Sequence, residues 1–182
     1  MATWMQARRP DVHWYCPQLP ASPREALALI EAGTRDWPDA SMAVVGSSLG
    51  GFYASVLAER RGCPAVLLNP AVNPARDLAR HIGEQTAWND PGERFFFQPA
   101  FVDELRAMAP SGLTRPQRYF AVIARGDEVL DAREMAAHCA GARLKLIDGG
   151  DHALSDFEAR HLADVLDFLS LSPTRSQGSP CV

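Results

Sequence analysis

Cysteine is sparse in this chain, and none of its four thiols (Cys16, Cys63, Cys139, Cys181) stands in a CxxC pair or at zinc-ligand spacing. That argues against a disulfide framework and a thiolate metal site, and it makes free thiols in a reducing cytoplasm the expected state. No apolar run is long enough to span a bilayer, and the opening MATWMQARRP lacks the hydrophobic segment of a signal peptide. Secretion and membrane insertion are both disfavoured. No basic stripe offsets the formal net charge of -4. Arginines such as Arg8, Arg9, Arg24 and Arg35 are scattered over polar faces, which argues against a nucleic-acid partner. The histidines His13, His81, His138 and His161 form no H-E-x-x-H pair, so neither metal nor cofactor is expected. His138 sits where a helix carboxyl end would favour a positive charge.

What the chain does have is an ordinary soluble balance, 47% hydrophobic and 22% charged residues over 182 positions, enough for one domain with a sizeable core. There is no internal repeat. Short apolar runs at Val12–Cys16, Met42–Gly46, Ala65–Asn69, Tyr119–Ala124 and Leu144–Asp148 read as strands. Between them lie amphipathic helices, which predicts an α/β fold with a mostly parallel sheet. One helix opens at Ser22-Pro23-Arg24-Glu25, a capping box with proline in its first turn, and runs to about Trp37 with Ala26, Leu27 and Ile30 inward. Others are predicted over Leu49–Arg61, Ala132–Ala140 and Ser155–Leu171. Residues 73–116 break the rhythm and read as a helical insertion or lid on a domain spanning 1–171. There Phe95, Phe96, Phe97 and Phe101 fit either an acyl pocket or plain packing. The Ser/Pro-rich tail, residues 172–182, is expected to be disordered.

The chemistry gathers at VVGSSLGGFYASVLAE. Gly46-Ser47-Ser48-Leu49-Gly50 matches G-x-S-x-G between a strand and a helix, the setting of a nucleophile elbow. Such a bend needs small neighbours, here Gly46 and Gly50, and it aims the Leu49 N–H at the spot where an oxyanion would form. The serine requires a base and the base an orienting acid, from later strand ends in the order Ser, Asp, His. Asp127 follows YFAVIA and His152 follows LKLID, each just past a strand. Taken singly, Asp127 fits a turn after Gly126, and His152 fits an ordinary loop. Asp131 competes for the acid role but fits a helix N-cap better. Asp151, beside His152, reads as a turn acceptor or a solvated side chain. With the elbow, Ser48, Asp127 and His152 form the candidate triad. A phosphate cradle is disfavoured, since Gly46–Gly51 has no P-loop lysine and its spacing is not G-x-G-x-x-G.

CPQLP (Cys16–Pro20), VGSSLGGFYA (Val45–Ala54), LLNPAVNP (Leu67–Pro74), RGDEVLD (Arg125–Asp131) and GGDHAL (Gly149–Leu154) together resemble the YqiA/YcfP-type family of small bacterial α/β-hydrolase esterases. The resemblance runs from about Trp4 to Leu169. It implies a three-layer α/β-hydrolase sandwich and hydrolysis of carboxylic esters or acyl-CoA thioesters, with Ser48 as nucleophile, Asp127 as acid and His152 as base. One departure stands out. Members of that family begin with a strand ending in a His-Gly-Phe-x-Ser-Ser-Pro loop, which supplies a second oxyanion donor, and this chain carries neither. One such donor is worth about 3–4 kcal/mol in the transition state. The expectation is therefore a chain begun at an internal methionine, with a gap beside the Ser48 strand and weakened hydrolysis. The competing expectation is a truncated, non-catalytic binding module of the same fold.

Overall fold

A strand buried on both faces must be apolar at every position, and two segments meet that demand completely: AVLL and YFAVIA are buried throughout. The computed structural model describes residues 1–86, 92 and 94–171. The tail expected to be disordered, 172–182, lies outside the described residues, as do most of residues 87–93. The chain divides into two compact units, residues 17–155 and a unit built from residues 1–16 with 156 onward.

The smaller unit holds α1 (Ala2–Arg8), α7 (Phe157–Arg160) and α8 (Leu162–Phe168). The single helix expected over Ser155–Leu171 is thus two pieces, broken at His161, whose backbone leaves helical geometry at φ -125°. Met5, Leu162 and Leu166 are buried there, with Val12 and Trp14 packed against them. The strand expected at Val12–Cys16 does not form. Its alternating apolar residues serve side-chain packing, and with no neighbouring ladder in its unit the segment stays irregular.

In the larger unit, α2 (Pro23–Gly33) begins at Ser22, whose hydroxyl accepts the Glu25 N–H at 3.3 Å. A carboxylate from elsewhere completes this cap. Glu104 accepts from the Ser22 hydroxyl at 2.8 Å and from the Arg24 N–H at 3.0 Å. The helix stops short of the expected Trp37, at Thr34, a buried residue whose hydroxyl donates to the Ile30 carbonyl at 2.8 Å. Then follow β1 (Val44–Ser47), α3 (Leu49–Arg61) and β2 (Ala65–Leu68). Gly62 ends α3 at φ 70°, a left-handed cap that favours glycine.

Residues 73–116 hold α4 (Pro74–Asp77), an antiparallel pair of β3 (Gly83–Thr86) and β4 (Arg94–Phe97), and α5 (Pro99–Met108). The hairpin was not expected in a segment read as a helical insertion or lid. Phe97 is buried and Phe95 packs against the core, whereas the intervening Phe96 is 56% exposed, which is the two-residue period of a strand. Phe97 and Phe101 meet edge-to-face at 5.4 Å between ring centres, so packing claims both rings.

The unit closes with β5 (Tyr119–Ala124), α6 (Ala132–His138) and β6 (Arg143–Ile147). The main sheet runs β1-β2-β5-β6 and is parallel throughout, in a register that places Ser47 beside Leu68, Leu68 beside Val122 and Ala124 beside Ile147. Its four strands are contiguous, with β1 at one edge rather than beside a central gap. One face is covered by Ala54, Leu57 and Ala58 of α3 and by Met135 of α6, together with Cys63 and Cys139. Burial raises the Cys63 thiol and pushes Cys139 up to about 11. Cys16, Cys63 and Cys139 are free thiols, and Cys181 lies outside the described residues. Among the described residues no helix is long and apolar enough to cross a membrane.

Candidate active site

Parallel strands deliver their carboxyl ends to one edge of the sheet, so the loops after β1, β2, β5 and β6 converge. The loop after β1 is a single residue. Ser48 takes φ 52°, ψ -123°, a conformation costly for any residue but glycine, and α3 begins at the next position. Hydrogen bonds hold this bend from both sides. The Ser48 N–H donates to the Leu68 carbonyl at 3.0 Å, and the Ser48 carbonyl accepts from Gly51 at 2.9 Å, Phe52 at 3.3 Å and Ala71 at 2.9 Å. Glycine is needed where the strand and helix backbones touch. A Cβ on Gly46 would lie 2.1 Å from the Gly50 carbonyl oxygen, and one on Gly51 would lie 2.8 Å from Cβ of Pro70. Gly50, expected to share this role, has nothing within 4 Å of its would-be Cβ. The close approach belongs to Gly46 and Gly51.

The structure brings the three candidate side chains together. His152 Nε2 lies 2.9 Å from Ser48 Oγ, and His152 Nδ1 lies 2.8 Å from Asp127 Oδ2. The Asp127 side chain is fully buried, and that of His152 is 19% exposed. Asp127 is itself held, because its Oδ1 accepts the N–H groups of Val129 and Leu130, both at 2.8 Å. Both of its oxygens are therefore engaged, one by the turn and one by the imidazole. The turn reading of Asp127 and the triad reading describe different oxygens of one carboxylate.

The loops after β5 and β6 touch through glycine. The Gly126 N–H donates to the Gly149 carbonyl at 2.9 Å, and a Cβ on Gly126 would stand 2.5 Å from the Gly150 oxygen. Gly149 and Gly150 take φ 75° and 77°, which turns the chain back toward Ser48. Asp151 closes the next turn, accepting from the Ser155 N–H at 2.9 Å and hydroxyl at 2.6 Å. Those bonds hold its carboxyl below the ordinary range. Asp131 is the N-cap of α6, accepting from the Arg133 N–H at 2.7 Å, and it is Asp127 rather than Asp131 that meets the His152 ring. Leu49 is the first helical residue after Ser48, and among the described residues its N–H has no hydrogen-bond partner.

Three further histidines have surroundings of their own. His81 is exposed and meets Arg80 at 3.2 Å. His161 is buried in the smaller unit, with Nε2 3.2 Å from Asp156 Oδ1. His138 does end α6, and burial lowers its pKa below the ordinary value. Among the described residues no group of three or more His, Cys, Asp or Glu side chains is arranged to hold a metal ion.

Two contacts escaped the sequence reading. Glu128 Oε2 accepts the His152 N–H at 3.0 Å. Asn69, the residue after β2, is fully buried against the same loop. An asparagine ending an apolar strand directly before proline was the available signal, since a buried amide has to find partners.

The fold is shared with α/β-hydrolases. Alpha/beta hydrolase domain-containing protein 10 from mouse superposes with a TM-score of 0.59 at 20% identity, covering 82% of this chain and 69% of that protein. Est1E from Butyrivibrio proteoclasticus gives 0.55 at 17% identity, over 82% and 72%. Paleococcus ferrophilus monoacylglycerol lipase gives 0.56 at 17% identity, over 83% and 76%. Over residues 1–170 the chain matches, and belongs to, the group described as Uncharacterised protein family (UPF0227).

Proposed function

We propose that the protein is a serine hydrolase acting on carboxylic esters or acyl-CoA thioesters, with Ser48 as nucleophile, His152 as base and acid, and Asp127 as the orienting carboxylate. The observation that carries this reading is the unbroken hydrogen-bond path from Ser48 Oγ through the imidazole to Asp127, at 2.9 and 2.8 Å. In that order of contacts the Nδ1 proton is held by the carboxylate and the Nε2 lone pair faces the hydroxyl. Ser48 Oγ attacks the acyl carbon while its proton passes to Nε2. The resulting oxyanion is met by the Leu49 N–H at the positive end of α3. Collapse breaks the C–O or C–S bond, and the leaving alkoxide or thiolate takes the proton from Nε2. Water then repeats the sequence on the acyl-enzyme, releasing the acid and restoring Ser48.

Turnover of p-nitrophenyl esters and acyl-CoA thioesters of graded chain length tests this proposal. Ser48→Ala is expected to lower kcat by roughly 10³-fold or more on whichever series is cleaved, with the fold retained. A folded wild-type protein that turns over neither series contradicts the reading and favours a non-catalytic binding module.

A further inference from the structure

The buried Asn69 side chain joins the end of β5 to the histidine loop. It is 0% exposed and sits one residue beyond β2, at φ 39°, a left-handed conformation that asparagine tolerates better than most residues. Its backbone N–H donates to the Val122 carbonyl at 3.0 Å, extending the ladder between β2 and β5. Its side chain is fully engaged. Oδ1 accepts the Ala124 N–H at 2.8 Å, and Nδ2 donates to the carbonyls of Asp151 and His152, each at 3.0 Å. One N–H on one side and two carbonyls on the other admit a single amide orientation.

These contacts reach every segment that carries the triad. Ala124 ends β5, three residues before Asp127. Leu68, the neighbour of Asn69, accepts the Ser48 N–H, and Ala71, two residues on, donates to the Ser48 carbonyl. At residue 152 itself the backbone is gripped on both polar atoms: Asn69 takes the carbonyl, and Glu128 takes the N–H. The imidazole is thus aimed by its own peptide, and Asn69 supplies one half of the grip through the carbonyl rather than through a ring nitrogen.

We propose that Asn69 is a positioning residue that sets the imidazole of His152 between Asp127 and Ser48; its kinetic consequence rests on the serine-hydrolase reading. Asn69→Asp separates positioning from folding. The aspartate keeps the shape and the acceptor for Ala124, but turns an acceptor toward two carbonyls that need a donor. The experiment follows the far-downfield proton resonance of the His152 Nδ1–H···Asp127 bond, assigned by its loss in His152→Ala. It also measures the rate of fluorophosphonate modification and, on a cleaved ester, kcat and KM.

The expected result for Asn69→Asp is loss or broadening of that resonance with native circular dichroism. Modification and kcat should fall roughly 10- to 100-fold while KM changes less than about twofold. In a His152→Ala background the same substitution should change the residual rate by less than about twofold, because its effect runs through the imidazole. An intact resonance and wild-type rates in folded Asn69→Asp overturn the proposal, as does an equal loss in the His152→Ala background. Should Asn69→Asp not fold, Asn69→Ala takes the same measurements, and failure of both to fold assigns Asn69 a structural role instead. A wild-type protein inert to the probe contradicts the hydrolase reading, and the resonance alone then decides whether Asn69 positions the ring.

Discussion

The two ends of the main sheet solve the same problem in opposite ways. At the amino end of β5 the Tyr119 hydroxyl donates to Glu59 of α3 at 2.5 Å, and Glu59 also accepts from the Thr114 hydroxyl at 2.6 Å and its N–H at 3.2 Å. Arg61, in the last turn of α3, donates to the Thr34 and Trp37 carbonyls at 3.1 and 2.6 Å and pairs with Asp39. Burial alone would raise the Glu59 carboxyl, yet hydrogen bonds from Thr114 and Tyr119, helped by Arg115, hold it below its ordinary value. Burial and the bond to Glu59 raise the Tyr119 hydroxyl. At the carboxyl end the chain of contacts finishes on Ser48 Oγ, on a strained backbone, next to an N–H with no partner among the described residues. Polar groups at the first end hold the sheet together. Those at the second end leave the Ser48 hydroxyl bonded to His152, beside a backbone donor without a partner among the described residues.

The largest expected break in this contrast comes from Asp127→Asn. It should lower kcat by about 10⁴-fold, because the amide leaves the imidazole in the wrong tautomer. Steady-state assay of the ester that the wild type cleaves checks this. Next in size is a pair at the elbow. Gly46→Ala drives a methyl into the Gly50 backbone and should destabilise the protein by roughly 3 kcal/mol. Gly50→Ala, with open space around it, should change stability by no more than about 1 kcal/mol in either direction. Urea unfolding midpoints separate the two. At the opposite end, Tyr119→Phe should cost about 1–2 kcal/mol in the same assay and leave kcat within about twofold.

The smallest effect is a pH slope at His138. Burial holds this histidine below its ordinary 6.5, so the unfolded chain binds more protons than the folded one just below that value. Stability should therefore fall as pH drops through about 6.5, and His138→Gln should flatten the slope between about pH 7.5 and 5.5.

How much of this was legible depends on whether a segment's surroundings were local. YFAVIA reads as a strand and is one from end to end, because total burial leaves only apolar residues. Ser22 and Asp131 read as helix caps and are, since a cap is settled within three residues. Ser48, Asp127 and His152 could be expected to lie close together because strand ends in a parallel sheet share an edge, so order along the chain becomes proximity. Where the partner was remote, reading by local pattern failed. Val12–Cys16 has a strand's composition but no ladder. The hairpin of Gly83–Thr86 with Arg94–Phe97 was hidden in an aromatic run whose alternation emerges only once one phenylalanine is seen to face solvent. Asn69 reads as the polar end of an apolar strand, and its side chain is bonded to three backbone groups more than fifty positions away.

Treating the intact, folded protein with a fluorophosphonate and locating the adduct by mass spectrometry tests the central claim most directly. One adduct per chain, carried on Ser48 and absent from Ser48→Ala, is the predicted result. A folded protein that stays unmodified, or one modified at Ser47 instead, contradicts it.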